Sequence, residues 1–161
     1  PLIATTHISL MQEARKQRVK VEVIHNISVL NAVTNTGLQA YKFGKTTSIP
    51  KWKESYEPES FYDTMEENLR IKAHTLFLLD KDVTVKDAVS YLLKISKKRK
   101  DKFFNENTLL VLCSSLGTEK EKIFFGTAKK ISEKKVPHPI CLIVPAELHF
   151  LEREFLGRFR V

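Results

Sequence analysis

Four places in the sequence end an apolar run on small or polar residues: Ile3-Ala4, Ser28-Val29, Leu79-Asp80 and Ser114-Ser115. Each reads as the carboxyl end of a β-strand or the loop just after one, and open α/β sheets hold their ligands at such ends. Gathered on one edge, the four would frame a crevice with an apolar floor and backbone amides at its rim. That crevice suits a flat, uncharged ring such as adenine better than a phosphate, because apolar side chains sandwich the ring while backbone groups bond its edge. Every α/β domain has strand ends, and most touch no ligand. The chemistry therefore turns on whether these four meet.

Motifs for other chemistries are missing from the sequence. It contains no Gly-x-Gly-x-x-Gly after a strand, no P-loop and no Gly-x-Ser-x-Gly elbow. The histidines are His7, His25, His74, His138 and His149, with no pair at metal-ligand spacing and no Cys-x-x-Cys. A metal site or a Ser/His hydrolase is not expected. His7 and His25 fall near the crevice, either as site residues or as loop hydrogen-bonders.

The elements that must position these ends alternate. Thr5 or Thr6 caps a helix to about Gln17, and the alternating, β-branched Val19–Ile24 reads as a strand. Ser28 caps a helix to about Thr36, which Gly37 ends. Lys45–Ile49 is a short extended piece, and Phe61–Ile71 is helical. Thr75–Leu79 is an unbroken apolar run, as expected of a strand covered on both faces. Thr84 caps a helix to about Lys97. Strands follow at Thr108–Cys113 and Lys122–Phe125, a helix at Thr127–Ile131, a strand at Ile140–Val144 and a last helix at Glu147–Leu156. This alternation predicts an α/β fold: a mixed, mostly parallel sheet flanked by helices, whose crossovers bring like strand ends to one edge.

With 161 residues, 42% hydrophobic and 29% charged, the chain has the makings of one globular domain, or one and a fragment. No apolar run approaches the ~20 residues of a membrane span, and no signal-peptide pattern appears. Cys113 and Cys141 lie inside apolar runs and read as buried thiols of a reducing compartment, which places the protein in the cytoplasm. The formal net charge is +8. The run Lys97–Lys102 serves either as the cationic end of a helix or as a docking surface. A basic nucleic-acid-binding module using Lys97–Lys102 and Lys134-Lys135 is one alternative function. It would need interleaved aromatics, whereas Phe103-Phe104 is a single pair.

One set of motifs is more specific. ATTH at 4–7, VIHN-x-S at 23–28, NAV-x-x-x-GLQ-x-Y-x-FG at 31–44, SIP at 48–50, SFY at 60–62, HTL-x-LLD at 74–80 and ELH-x-LE at 147–152 resemble the diphthine synthases. That family comprises S-adenosylmethionine-dependent methyltransferases of the tetrapyrrole methylase-like fold. The resemblance runs through nearly the whole chain, in the family's order. It implies that residues 1–161 are the C-terminal domain of a two-domain enzyme, with Pro1 closing a Gly-Asp-Pro stretch and the N-terminal domain absent. The cofactor would lie between the two domains, so this chain alone is expected to be inactive and to self-associate.

Carried over position by position, the resemblance makes Ile3, Ser28, Val29, Leu79, Ser114 and Ile140 the cofactor contacts. Ser114 falls where relatives usually carry alanine. Ile140 falls where they usually carry histidine, with His138 two residues earlier; a backbone contact survives that change. The implied reaction is methyl transfer from S-adenosylmethionine, leaving S-adenosylhomocysteine, to the modified histidine of translation elongation factor 2 in diphthamide biosynthesis. The implied assembly is a homodimer. A family member acting on a tetrapyrrole or on ribosomal RNA is the other enzymatic alternative. The cofactor brings the reactive carbon, so the protein need only align donor and acceptor in a dry pocket. No general base is assigned.

Overall fold

The computed structural model describes residue 2 and residues 5–161. The expected site residue Ile3 lies outside them.

Among the described residues five strands form one sheet in the order β1-β2-β5-β3-β4, with β1 at Thr47–Ile49, β2 at Thr75–Leu79, β3 at Leu109–Ser114, β4 at Lys122–Thr127 and β5 at Ile140–Val144. The helices are α1 (Thr5–Lys16), α2 (Val29–Ala32), α3 (Ser60–Arg70), α4 (Val85–Arg99), α5 (Ala128–Ser132) and α6 (Phe150–Leu156). A mixed sheet flanked by helices is the expected class, but the balance of directions differs from expectation. Among the described residues only β1–β2 is a parallel pair of strands; β2–β5, β3–β4 and β3–β5 are antiparallel. A single hairpin from β3 to β4 reverses the chain. The crossover through α5 then carries β5 back past β3 into the gap between β2 and β3. An alternating pattern records crossovers; it does not reveal one hairpin or an inserted strand.

This topology still gathers the ends. β1, β2 and β3 point the same way, so Ile49, Leu79 and Ser114 lie on one edge. β5 starts at that edge, with Ser114 opposite Ile140 and Leu78 opposite Cys141.

Both faces of the sheet are covered, as the unbroken apolar runs require. On one face α3, α4 and α5 bring Phe61, Met65, Ala88, Leu92, Ile95 and Ile131 onto Phe77, Leu110, Leu112 and Leu142. On the other, Val33, Leu38 and Leu156 pack on Leu76, Val111, Cys113, Cys141 and Ile143. Caps set the helix ends: in α4, Thr84 Oγ1 accepts from Asp87 N at 3.1 Å and Asp87 Oδ2 accepts from Thr84 N at 3.0 Å, a reciprocal box. Lys98 and Arg99, at the far end of α4, pair with Glu59, which caps α3, and Asp63 in its first turn at 2.6 to 2.7 Å. Part of the basic run is therefore neutralised in place.

The segment expected as a strand at Val19–Ile24 is irregular. Its β-branched alternation is real, but a strand also needs a neighbour for its N–H and C=O groups. Among the described residues neither sheet edge takes it, and Val21 and Ile24 are 44% and 79% exposed. α1 ends at Lys16 with Arg18 at φ +56°, and the two elements leave Leu10 and Ile27 more than two-thirds exposed.

Candidate functional site

At the gathered edge, the loop leaving the irregular segment meets β2, β3 and β5 around a cavity of about 550 Å³. Ser28 and Val29 form one wall. Ser28 begins α2 by accepting from Leu30 N at 3.2 Å. The short helix continues as a 3-10 turn, Val33–Thr36, that ends at Gly37, φ +81°. A Cβ at Gly37 would fall 2.4 Å from the Phe155 ring, so the position needs glycine both for its backbone and for space.

Leu78 and Leu79 of β2 and Ile140 and Cys141 of β5 form the floor, with Cys113 of β3 beside them. Leu116, Gly117 and Thr118, in the β3–β4 turn, close the third side. Gly117 N donates to Glu121 Oε2 at 2.7 Å, which fixes the turn. The same carboxylate oxygen accepts from Asn35 Nδ2 at 3.0 Å and ties the turn to the far wall.

The structure thus brings Ser28, Val29, Leu79 and Ile140 together in one cavity. Ser114 is not in the wall. It is fully buried, and its hydroxyl donates to Pro137 O at 2.6 Å, while Ser115 N donates to Pro139 O at 2.9 Å. Ser114 anchors the segment that carries Pro139 and Ile140 into the site. Cys113, one residue earlier, supplies the side chain instead. His7 and His25 are exposed and do not line the cavity.

Cys113, Cys141, Leu116, Gly117 and Pro139 escape sequence reasoning. Period-2 alternation provides a signal for the cysteines: they lie opposite one another in adjacent strands and point to the same face as Leu78. Both are free thiols. Hydrogen bonding with Cys141, together with burial, pushes the Cys113 thiol well above its ordinary value, so it stays protonated at neutral pH.

No Asp, Glu, Lys, Arg or His lines the cavity among the described residues. The volume is within the range of small-molecule sites. An uncharged lining of aliphatic side chains, two thiols, hydroxyls, the Asn26 amide and backbone groups fits an adenosyl group and sets no cationic side chain against a phosphate.

The opposite edge holds a buried polar network. His74 is fully buried at the start of β2, and Glu152 of α6 is 1% exposed. Ala146 N donates to His74 Nδ1 at 2.9 Å, so the ring proton sits on Nε2, which donates to Glu152 Oε1 at 3.2 Å. Glu152 also accepts from Gln39 N at 2.9 Å, Lys42 Nζ at 2.7 Å and His149 N at 2.8 Å. Burial alone would raise the Glu152 carboxyl, but these donors outweigh it and hold it down to about 2. Burial lowers His74 and keeps the imidazole neutral against the pull of Glu152. The cavity wall is made by other residues, and the groups of this network satisfy one another.

The comparisons agree with this architecture. The Methanococcus vannielii diphthine synthase is 39% identical over 163 residues, covering 97% of this chain and 64% of its own length. The diphthine synthase of Methanocaldococcus jannaschii is 38% identical, with coverages of 97% and 64%. A solved Entamoeba histolytica structure superposes with a TM-score of 0.91 at 31% identity, covering 98% of this chain and 66% of that one. A solved diphthine synthase gives 0.83 at 28%, with coverages of 99% and 62%. The chain thus spans just under two-thirds of the length of these relatives. The Tetrapyrrole (Corrin/Porphyrin) Methylases match residues 1–132. With a match over most of its length, the chain belongs to the tetrapyrrole methylase family.

Proposed function

We propose that the protein takes part in S-adenosylmethionine-dependent methyl transfer to the modified histidine of translation elongation factor 2, in diphthamide biosynthesis. The observation that carries this reading is the uncharged cavity at the β1–β2–β3 edge, whose walls include Ser28, Val29, Leu79 and Ile140, in a chain similar over nearly its whole length to diphthine synthases. When bound there, the cofactor would supply an electrophilic methyl group on a sulfonium. The chain's own residues do the rest. Leu79 and Ile140 present apolar surface to the adenosyl ring, and Ser28 with Val29 closes the other side. Cys113 and Cys141, both buried, keep the floor dry, and Cys113 stays protonated and adds no charge. Ser114 acts indirectly, by holding Pro139 and Ile140 in place.

The exposed apolar residues Leu10, Val21, Ile24 and Ile27 support a second domain covering residues 8–30, with the cofactor held between the two. A homodimeric, cytoplasmic protein is part of the same reading. None of the helices of the described residues is long and apolar enough to cross a membrane.

Incubation of the full-length protein with labelled S-adenosylmethionine and elongation factor 2 carrying the unmethylated intermediate tests the reading. Label should appear on the factor and not on a tetrapyrrole or ribosomal RNA. Label on either of the latter, and none on the factor, would assign the chain to another branch of the family.

A further inference from the structure

A cavity of about 550 Å³ holds a cofactor but not a protein acceptor, so the rest of that acceptor must lie on surface adjoining the mouth. One such surface stands out by its charge. Segment 138–140 separates the cavity from a second recess of about 600 Å³: Pro139 and Ile140 line the first, His138 and Ile140 the second. The second recess runs between the start of α4 and the loop after α5, with Val85 and Val136 in its floor and Lys86, Lys134 and Lys135 at its rim. A shallower recess of about 330 Å³ shares Lys86 and Ser132 with it and continues along α4 past Leu93, Lys94 and Lys97.

The cations of α4 therefore divide. Those facing α3, Lys98 and Arg99, are paired with Glu59 and Asp63. Those on the groove have no ion pair among the described residues. Lys94 lies 5.7 Å from the Trp52 ring and Lys134 5.2 Å from that of Phe124, and Asp87 of α4 is committed to Lys51 at 2.8 Å. The groove's lining includes a single acid, Glu133. An apolar floor with an unneutralised lysine rim is complementary to a peptide bearing both acidic and apolar side chains. It is a poor seat for single-stranded RNA, since Trp52 is already stacked on Tyr91 with centroids 4.1 Å apart and offers no open aromatic platform.

Resting on the methyl-transfer reading above, we propose that this α4/α5 groove docks an acidic segment of the protein substrate and delivers the acceptor to the mouth beside Ile140.

The test uses the full-length protein and the combined variant Lys86→Glu, Lys134→Glu, Lys135→Glu, with the three Lys→Gln changes as a milder second variant. KM for elongation factor 2 should rise on the order of tenfold or more in the Glu variant and less in the Gln variant, with kcat and S-adenosylmethionine affinity within about twofold. The wild-type KM should rise with salt, and the variant should lose much of that slope. Unchanged KM and salt slope in an active variant would overturn the groove while leaving the proposed function standing.

If the wild type methylates no elongation factor 2, the proposed function falls and the groove is judged by binding alone. A fluorescein-labelled peptide alternating glutamate and leucine, followed by anisotropy, should then bind the wild type and weaken on the order of tenfold in the Glu variant. Absence of that difference, or tighter binding of a single-stranded RNA oligonucleotide, would overturn the groove.

Discussion

His74 and Glu152 are 78 residues apart in the chain and 3.2 Å apart in the fold. Each belongs to a motif that carries the family resemblance, HTL-x-LLD for His74 and ELH-x-LE for Glu152. Their contact lies at the edge where β2 begins and β5 ends, across the sheet from the uncharged cavity. The pair pins α6 and the Gln39–Lys42 turn to the sheet and has its hydrogen-bonding capacity filled from within. It is a fastening of the fold.

Glu152→Ala strips a buried imidazole, an ammonium and two backbone N–H groups of their shared acceptor. The expected loss is on the order of 3 to 5 kcal/mol of unfolding free energy, the range for breaking a buried charged network. Urea unfolding of the variant measures it. A loss below about 1 kcal/mol, the scale of an exposed pair, would show that the network contributes little.

Stability should fall on acidification. The folded Glu152 carboxyl sits at about 2 against an ordinary 4.5. Between those values the unfolded chain takes up a proton that the folded one refuses, so stability drops as pH falls from about 4.5 towards 2. His74 acts in the same direction and earlier. Its folded value is depressed below 6.5, so the unfolded state binds more protons once pH goes below about 6.5. Thermal midpoints measured from pH 7 to pH 3 should decline throughout. The decline should be smaller in Glu152→Gln with His74→Gln than in the wild type.

Filling the cavity should separate binding from folding. Val29→Trp places an indole in the wall and should weaken S-adenosylmethionine binding on the order of tenfold or more, with a small change in thermal midpoint because the residue is only partly buried. Ser114→Ala should do the reverse. It loses the 2.6 Å bond to Pro137 O, a cost of about 1 kcal/mol, and leaves affinity within a few-fold. Titration calorimetry and chemical denaturation on both variants test the assignment.

The exposed apolar set predicts association. The chain of residues 1–161 should sediment as oligomers, and Leu10→Ser, Ile24→Ser and Ile27→Ser together should shift it towards monomer. Sedimentation velocity at several concentrations decides; a monodisperse monomer for the unaltered chain would contradict the prediction.

Much of the architecture was legible because burial on two faces writes unbroken apolar runs. Thr75–Leu79 and Ile140–Val144 match β2 and β5 residue for residue, and Thr84 marks α4 by its cap. Val19–Ile24 misled because alternation reports side-chain pattern, whereas a strand also requires a partner backbone. The pairing directions were hidden because insertion of β5 between β2 and β3 is a long-range event with no local signature. In the site, strand ends pointed to Ser28, Val29 and Leu79, and the family resemblance added Ile140. Which face a strand presents was not visible until the register was known, so Cys113 and Cys141 were missed and Ser114 was placed in a wall that it supports from behind. Motif glycines reflect packing more than chemistry: a Cβ at Gly44 would fall 2.2 Å from Asn68 Oδ1, which accepts from Lys45 N at 3.0 Å.

A crystal structure of the full-length protein with S-adenosylhomocysteine is the most direct measurement. The adenosyl group should lie in the cavity bounded by Ser28, Val29, Leu79 and Ile140, with Cys113 and Cys141 beneath it. Electron density for the ligand elsewhere, for instance beside His74 and Glu152, would contradict the assignment of the site.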